Sequence, residues 1–234
     1  MQWYLYGKIT YMSVKRGKLI VIEGADGAGK ATQVKMLQDR LKNEGVMVET
    51  LDFPGYDRTF FGGYIKEWVD KTHGDFVELD PRLSSILFAG DRYESRDILM
   101  GWLDEGKNVI LDRYVTANML HQGAKIENPG DRGAFLLWLE RLEYEVFKMP
   151  RPDIVVYLDM PAEMRHALLT TDESKPDIGH TETNSSYQLA IQRYAEHISG
   201  LEKWRNISCL MDSKLRSKDN INTELYGIIR PILN

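Results

Sequence analysis

Five short apolar stretches punctuate the chain: Leu19 to Ile22, Val46 to Phe53, Asn108 to Asp112, Asp153 to Asp159 and Ile207 to Met211. Each is brief and carries few charges, which is the pattern of a strand buried on both faces. Between them the apolar residues recur at helical spacing. The predicted helices run over Thr32 to Asn43, Phe61 to Lys71, Pro81 to Glu105, Gly133 to Phe147, Ala162 to Leu169, Ser185 to Lys203 and Ile221 to Leu233. Strands alternating with helices predict an α/β fold, a five-stranded parallel sheet with helices on both faces. Ligands of such sheets bind beyond the carboxyl ends of the strands. Four polar clusters sit just there: Asp26 with Lys30, Phe53-Pro54, Asp112-Arg113 and Asp159.

Two segments break the alternation. Thr170 to Asn184 is rich in Thr, Asp, Glu, Lys, Pro, Gly and His and almost lacks apolar residues. It reads as a loop, either an active-site lid at about 170–184 or a surface insertion. Met1 to Gly17 is aromatic-rich and carries Lys8, Lys15 and Arg16 without an acidic residue. It lacks the charged-then-apolar order of a secretory signal. It reads as a poorly ordered extension, or as residues preceding a true start at Met12. The organisation expected is therefore an extension over 1–17 and one domain over 18–234.

Composition narrows the class. The 234 residues suit one α/β domain, and 43% hydrophobic with 28% charged residues is ordinary for a water-soluble globule. The net charge of −5 disfavours general nucleic-acid binding. A single cysteine, Cys209, rules out an internal disulfide framework and fits a cytoplasmic setting. Its apolar surroundings predict an inert core thiol. No stretch approaches the ~20 apolar residues of a membrane helix. The Asn184-Ser-Ser and Asn206-Ile-Ser triplets match a glycosylation pattern by chance.

The chemistry is concentrated after the first strand. Leu19 to Ile22 leads into Gly24-x-x-x-x-Gly29-Lys30, and a helical pattern follows. Strand, glycine-rich turn and helix start are the context of a phosphate-binding loop. Glycines let backbone N–H groups crowd round phosphate oxygens, and the helix N-terminus adds positive potential. Lys30 reaches a β- or γ-phosphate as a point charge. Position 31, where a Ser or Thr hydroxyl normally meets Mg²⁺, is Ala31.

Other candidates follow the remaining strands. Asp112-Arg113-Tyr114 places an acid across from the glycine loop, where it can orient Mg²⁺ waters, and beside it an arginine able to grip phosphate bidentately. Alone, such a triplet reads as a surface ion pair. Phe88 and Arg92 are four apart in a helical pattern, so they share a face. They read either as a base-binding pair, by stacking and hydrogen bonding, or as a core ring beside a solvated arginine. Phe53-Pro54-Gly55-Tyr56 forms a substrate loop or a plain turn. Phe135 to Leu139 is apolar almost all round, which implies burial on more than one side, by core or by a partner subunit.

Taken together, Glu23-Gly-x-Asp26-Gly-x-Gly-Lys-x-Thr-Gln33, Phe53-Pro54, Phe88-x-x-x-Arg92, Asp112-Arg113-Tyr114 and Gln122-Gly123 resemble the thymidylate kinases, P-loop kinases of nucleoside monophosphates. The resemblance covers about residues 18 to 233. It implies a three-layer P-loop kinase fold with a lid, Mg²⁺ as cofactor, ATP as donor and dTMP as acceptor. It also implies a homodimer, with no nucleic-acid or membrane partner. By resemblance, Gly24, Ala25, Asp26, Gly27, Ala28, Gly29, Lys30, Ala31 and Thr32 hold ATP. Asp26 sits between donor and acceptor phosphates, and Asp26 and Asp112 serve the metal. Phe88 stacks on thymine, Arg92 bonds its edge, and Arg113 holds the dTMP phosphate. Phe53, Pro54 and Tyr56 line the cleft, while Asn118, His121 and Gln122 lie near base or sugar.

Three departures from that family stand out. Ala31 removes the metal-binding hydroxyl, and Thr32 does not replace it, because one helical step turns the side chain by ~100°. Metal binding is therefore expected to be weaker. Gly27 occupies a loop position where some members carry a basic residue, so the lid is expected to supply the catalytic cation, through Lys175. Arg193, on the helix after the lid, is the alternative. His121 replaces an aromatic residue, which leaves discrimination at the sugar open. The leading expectation is dTMP phosphorylation. A kinase for another pyrimidine nucleotide such as dUMP, or a nucleotide-binding protein of impaired catalysis, are the alternatives.

Overall fold

The computed structural model describes residues 15–70, 73–161, 164 and 185–233. The elements run β1 (Leu19–Gly24), α1 (Lys30–Asn43), β2 (Val48–Asp52), α2 (Phe60–Val69), α3 (Pro81–Glu94), α4 (Arg96–Asp104), β3 (Asn108–Asp112), α5 (Val115–Gly123), α6 (Pro129–Glu140), β4 (Ile154–Asp159), α7 (Ser185–Leu201), β5 (Arg205–Ser208), β6 (Leu210–Met211), β7 (Lys214–Leu215) and α8 (Lys218–Ile229). The five main strands form one parallel sheet in the order β2-β3-β1-β4-β5. The lid expected at 170–184, with Lys175, lies outside the described residues, as do the first fourteen positions of the extension and the helix expected from Ala162.

Strand alternation divides the core into two layers. Leu19 and Val21 of β1, Val109 and Leu111 of β3, and Val155 and Tyr157 of β4 point to one face. There they meet Leu99 and Leu103 of α4, Leu120 of α5, Phe135 and Leu139 of α6 and Ile191 and Ile198 of α7. Ile20, Ile22, Ile110, Val156 and Leu158 point to the other face, against Leu37 and Leu41 of α1 and Leu225 and Ile229 of α8. Successive side chains of a strand project to opposite faces, so a strand buried on both must be apolar throughout. That is why these runs read as continuous rather than alternating.

Several boundaries differ from expectation, each for a local reason. The helix expected over Pro81 to Glu105 is two. Its start is capped by Asp80, whose carboxylate accepts from the N–H groups of Arg82 and Leu83 at 2.8 and 3.2 Å. It stops at Ser95 (φ −91°, ψ 0°), which is at once the C-cap of α3 and the N-cap of α4, its N–H reaching back to the Arg92 and Tyr93 carbonyls. The helix expected from Gly133 begins instead at Pro129, capped by Asn128, and continues past Glu140 as a widened π turn over Arg141–Val146. The stretch Ile207 to Met211 is not one strand. β5 is an edge on which Ile207 alone is buried, while Leu210–Met211 leaves the sheet and pairs antiparallel with Lys214–Leu215. Asp212 and Ser213 between them have φ of 51° and 61°, the left-handed pair that tight hairpins require. In the stretch Phe135 to Leu139, Phe135 and Leu139 are buried in the core, whereas Leu137 is 72% exposed in the single chain.

Candidate functional site

The glycine loop hangs on the carboxyl end of β1. Gly24 has φ 150°, and a Cβ there would lie 3.0 Å from the Leu158 carbonyl oxygen on β4. The strand can therefore turn into the loop only without a side chain. Gly29, at φ 84°, is the residue before α1, and no side chain caps that helix. Its first N–H groups therefore stay free to meet an anion. Lys30 opens α1, is buried, and curls back so that its Nζ donates to the Ala25 carbonyl at 3.0 Å. Burial, followed by the charge of Arg113, holds its pKa below the ordinary lysine value. Ala31 is exposed on the first turn, as its missing hydroxyl would be.

The end of β3 faces this loop. Arg113 has φ 67°, the left-handed region that residues other than glycine rarely adopt, and its N–H donates to the Ile22 carbonyl of β1 at 3.1 Å. Such backbone outliers persist where surrounding structure over-determines them, often at functional sites. The conformation turns the guanidinium toward the loop. One terminal nitrogen pairs with the Asp26 carboxylate, and the other lies 2.8 Å from His121 Nε2. An arginine has no acceptor, so that His121 nitrogen must be unprotonated. Burial, then Arg113, depresses the His121 pKa to about 3. Beneath them Glu23 is fully buried. It accepts from the Tyr114 N–H at 3.3 Å and the Thr116 hydroxyl at 3.1 Å, and burial pushes its pKa up. Glu23 therefore ties the start of the glycine loop to the start of α5.

A second pole of the cleft lies between α3 and α5. Phe88 is part-buried on α3, its ring 5.4 Å from that of Phe76 and nearly perpendicular to it. Arg92, on the same helix, is 1% exposed rather than solvated. Its Nε donates to both Glu143 oxygens at 3.0 and 3.2 Å, and one terminal nitrogen also pairs with Glu143. The other terminal nitrogen donates to the Tyr114 carbonyl at 3.3 Å. On α5, the Asn118 amide donates to the Ser85 carbonyl at 3.1 Å, pinning α5 to α3. Gln122 is buried, and its side-chain oxygen has no partner among the described residues. A buried acceptor left unpaired is costly unless something completes it.

The loop after β2 closes the cleft. Phe53 is buried, 4% exposed, its ring 6.2 Å from that of Tyr114. Pro54 follows through a cis peptide bond, and Tyr56 is exposed. Asp91 of α3 holds this loop, accepting from the Gly55 N–H and from the Thr59 hydroxyl. Asp91, Glu143 and Thr59 escaped the sequence reading. Asp91 stands beside Arg92 in a run already singled out, and was the one legible signal. Gln33, in the glycine-loop pattern, donates from its amide to the Lys218 carbonyl of α8 and so serves packing. Arg193 is exposed on α7. Cys209 is buried, with its thiol pushed by burial up to about 11, an inert state.

The donor set suits a magnesium ion carried in on a nucleotide. Among the described residues no three His, Cys, Asp or Glu side chains group as a metal cage. Asp26 within the loop and Asp112 at the end of β3 nonetheless both interact electrostatically with Lys30. Mg²⁺ typically takes one or two carboxylates, phosphate oxygens and waters, which this arrangement can complete.

Comparison with known proteins agrees with this geometry. Residues 22–211 match the family model for thymidylate kinase. Thymidylate kinase from Mycobacterium tuberculosis is 35% identical over 147 residues, covering 62% of this chain and 67% of that one. That from Dictyostelium discoideum is 32% identical over 219 residues, covering 92% and 86%. A solved thymidylate kinase structure from Candida albicans superposes with a TM-score of 0.69 at 23% identity, over 92% of each chain, a likeness of fold. The chain belongs to the thymidylate kinase family.

Proposed function

We propose that this member of the thymidylate kinase family moves the γ-phosphoryl group of ATP onto the phosphate of dTMP, giving ADP and dTDP. The observation that carries the reading is Arg113. A guanidinium held in a left-handed backbone, facing Asp26 and the glycine loop, suits an acceptor phosphate placed in line with the donor's γ-phosphate.

The loop N–H groups and Lys30 receive the ATP phosphates, with Gly24, Ala25, Gly27, Ala28, Gly29, Ala31 and Thr32 forming the cradle. Arg113 leaves Asp26 for the dTMP phosphate, and His121 keeps its second nitrogen oriented as it does so. A dTMP phosphate oxygen then attacks the γ-phosphorus while the bond to the β,γ-bridging oxygen breaks. Mg²⁺ neutralises the phosphate oxygens when bound, and Asp26 and Asp112 are the residues to hold it. Lys175 supplies the lid cation in this reading.

The unpaired Gln122 oxygen supports a ligand that brings an N–H, and the free N–H groups of Arg92 support one that brings a carbonyl. A thymine edge offers both, and Phe88 provides a ring to stack on it. Pro54 and Tyr56 flank the entrance, and Asn118 keeps α5 registered against α3. The exposed Leu137, with Leu83 and Ile86 of α3, supports a homodimer through these helices. The net charge and single buried thiol support a cytoplasmic enzyme.

ADP release measured across dTMP, dUMP, dCMP, dAMP and dGMP tests the reading. The expected result is the highest kcat/KM with dTMP. Preference for dUMP would point to another pyrimidine substrate. Nucleotide binding without ADP release would point to a binding protein, which the missing Ala31 hydroxyl favours.

A further inference from the structure

We propose that Glu143 is a positioning residue that aims Arg92 and thereby sets discrimination between 4-oxo and 4-amino pyrimidines; this rests on the reading of Arg92 as the base-edge donor. Glu143 is fully buried within the widened π turn Arg141–Val146 that ends α6. Such turns are rare, and occur mostly as local expansions of an α-helix near functional sites. This one delivers a carboxylate to an arginine fifty-one positions earlier in the chain.

Donor counting gives the consequence. A guanidinium carries five N–H groups in a rigid plane. Glu143 takes the edge formed by Nε and one terminal nitrogen, and the Tyr114 carbonyl takes one N–H of the other. One N–H remains on each terminal nitrogen. A 4-carbonyl, with two lone pairs, can accept them, whereas a 4-amino group would set donor against donor. Glu143 also offsets the arginine charge inside the protein, so a neutral carbonyl is received without an anion being drawn in. The pair is joined to the phosphate site, because Tyr114 gives its carbonyl to Arg92 and its N–H to Glu23.

The test compares Glu143→Gln, Glu143→Asp and Arg92→Met by ADP release with dTMP and with dCMP, alongside thermal melts. In Glu143→Gln the ratio of kcat/KM for dTMP over dCMP is expected to fall about tenfold, the equivalent of one misaligned hydrogen bond. KM for dTMP rises more than kcat falls, and KM for ATP holds. Glu143→Asp keeps the charge one methylene further back, and is expected to show a smaller fall in the same ratio. Should Glu143→Gln fail to fold, the Glu143→Asp ratio decides. An unchanged ratio in the folded Glu143 variants, with a lowered one in Arg92→Met, overturns the role of Glu143 alone. An unchanged ratio in all three overturns the reading of Arg92 as well. A purely structural Glu143 would lower the melting temperature and leave the ratio intact.

Discussion

Both carboxylate oxygens of Asp91 accept the Gly55 N–H, at 3.2 and 3.1 Å, across thirty-six positions of chain. Asp91 also accepts from the Thr59 hydroxyl, the group that caps α2 through the Gly62 N–H. One acid on α3 therefore fixes both the loop after β2 and the start of the next helix. In Asp91→Ala the Gly55 N–H loses its acceptor, and the Thr59 hydroxyl keeps only the Gly55 carbonyl as acceptor, at 3.2 Å. A loss of about 1–3 kcal/mol is expected, read as a melting point lower by about 2–10 °C. KM for dTMP should rise while KM for ATP holds.

Ala31 occupies the first turn of α1, where a hydroxyl would face a metal on the phosphates. Ala31→Ser is expected to lower the Mg²⁺ concentration for half-maximal rate several-fold. A titration of rate against Mg²⁺ checks it, and an unmoved midpoint would count against the expectation.

Arg113 combines a left-handed backbone with contacts to Asp26 and His121. Lysine keeps the charge and loses the fork. Arg113→Lys is expected to cut kcat/KM for dTMP about 100-fold, of the order found when a charge-assisted bond at a reacting group is lost. Nucleotide binding at the glycine loop, followed by ATP titration calorimetry, should be little changed.

His121 gives a pH dependence of known sign. Its pKa is about 3 in the fold against 6.5 when free, so between those values the unfolded chain holds the extra proton. Its contribution to stability is complete above pH 6.5 and is lost as pH falls toward 3. The raised carboxyls of Glu23, Asp91 and Asp112 act in the opposite sense. The difference between parent and His121→Asn isolates the histidine. From pH 7 to 5 the parent's melting point should fall further than the variant's.

Lys125 reaches from the end of α5 to the Phe76 and Leu79 carbonyls, at 3.1 and 3.2 Å, and lies 5.4 Å from the Phe76 ring centre. Phe76 in turn packs on Phe88. Lys125→Met is expected to loosen this loop, raising KM for dTMP several-fold with ATP affinity unaltered, as steady-state kinetics will show.

Much of the layered architecture was legible because the sheet is buried on both sides. Ile20 and Val21 must both be apolar, whichever way each points. The glycine loop was legible because Gly24 and Gly29 hold conformations that other residues avoid. What was hidden depends on contacts distant in sequence. No local pattern announces that Glu143 meets Arg92, or that a π turn will bring it there. Phe53 beside Pro54 suggested a cleft wall, and nothing local announces that its ring packs 6.2 Å from that of Tyr114, the residue just before α5. The turn at Asp212 and Ser213 was masked because neither residue is a glycine, the usual signal for that geometry.

The helix that begins with Lys30 is clasped by the last helix of the chain. Asn222 donates its amide to both the backbone and side-chain oxygens of Gln33, at 3.2 and 3.0 Å, while Gln33 donates to the Lys218 carbonyl at 3.0 Å. During synthesis, a nascent polypeptide still lacking α8 has its nucleotide loop made but its supporting helix unlatched. The latch thus makes the nucleotide loop's helix depend on residues more than a hundred and eighty positions later, and removing Lys218–Ile229 is expected to weaken ATP binding without touching any group that meets substrate.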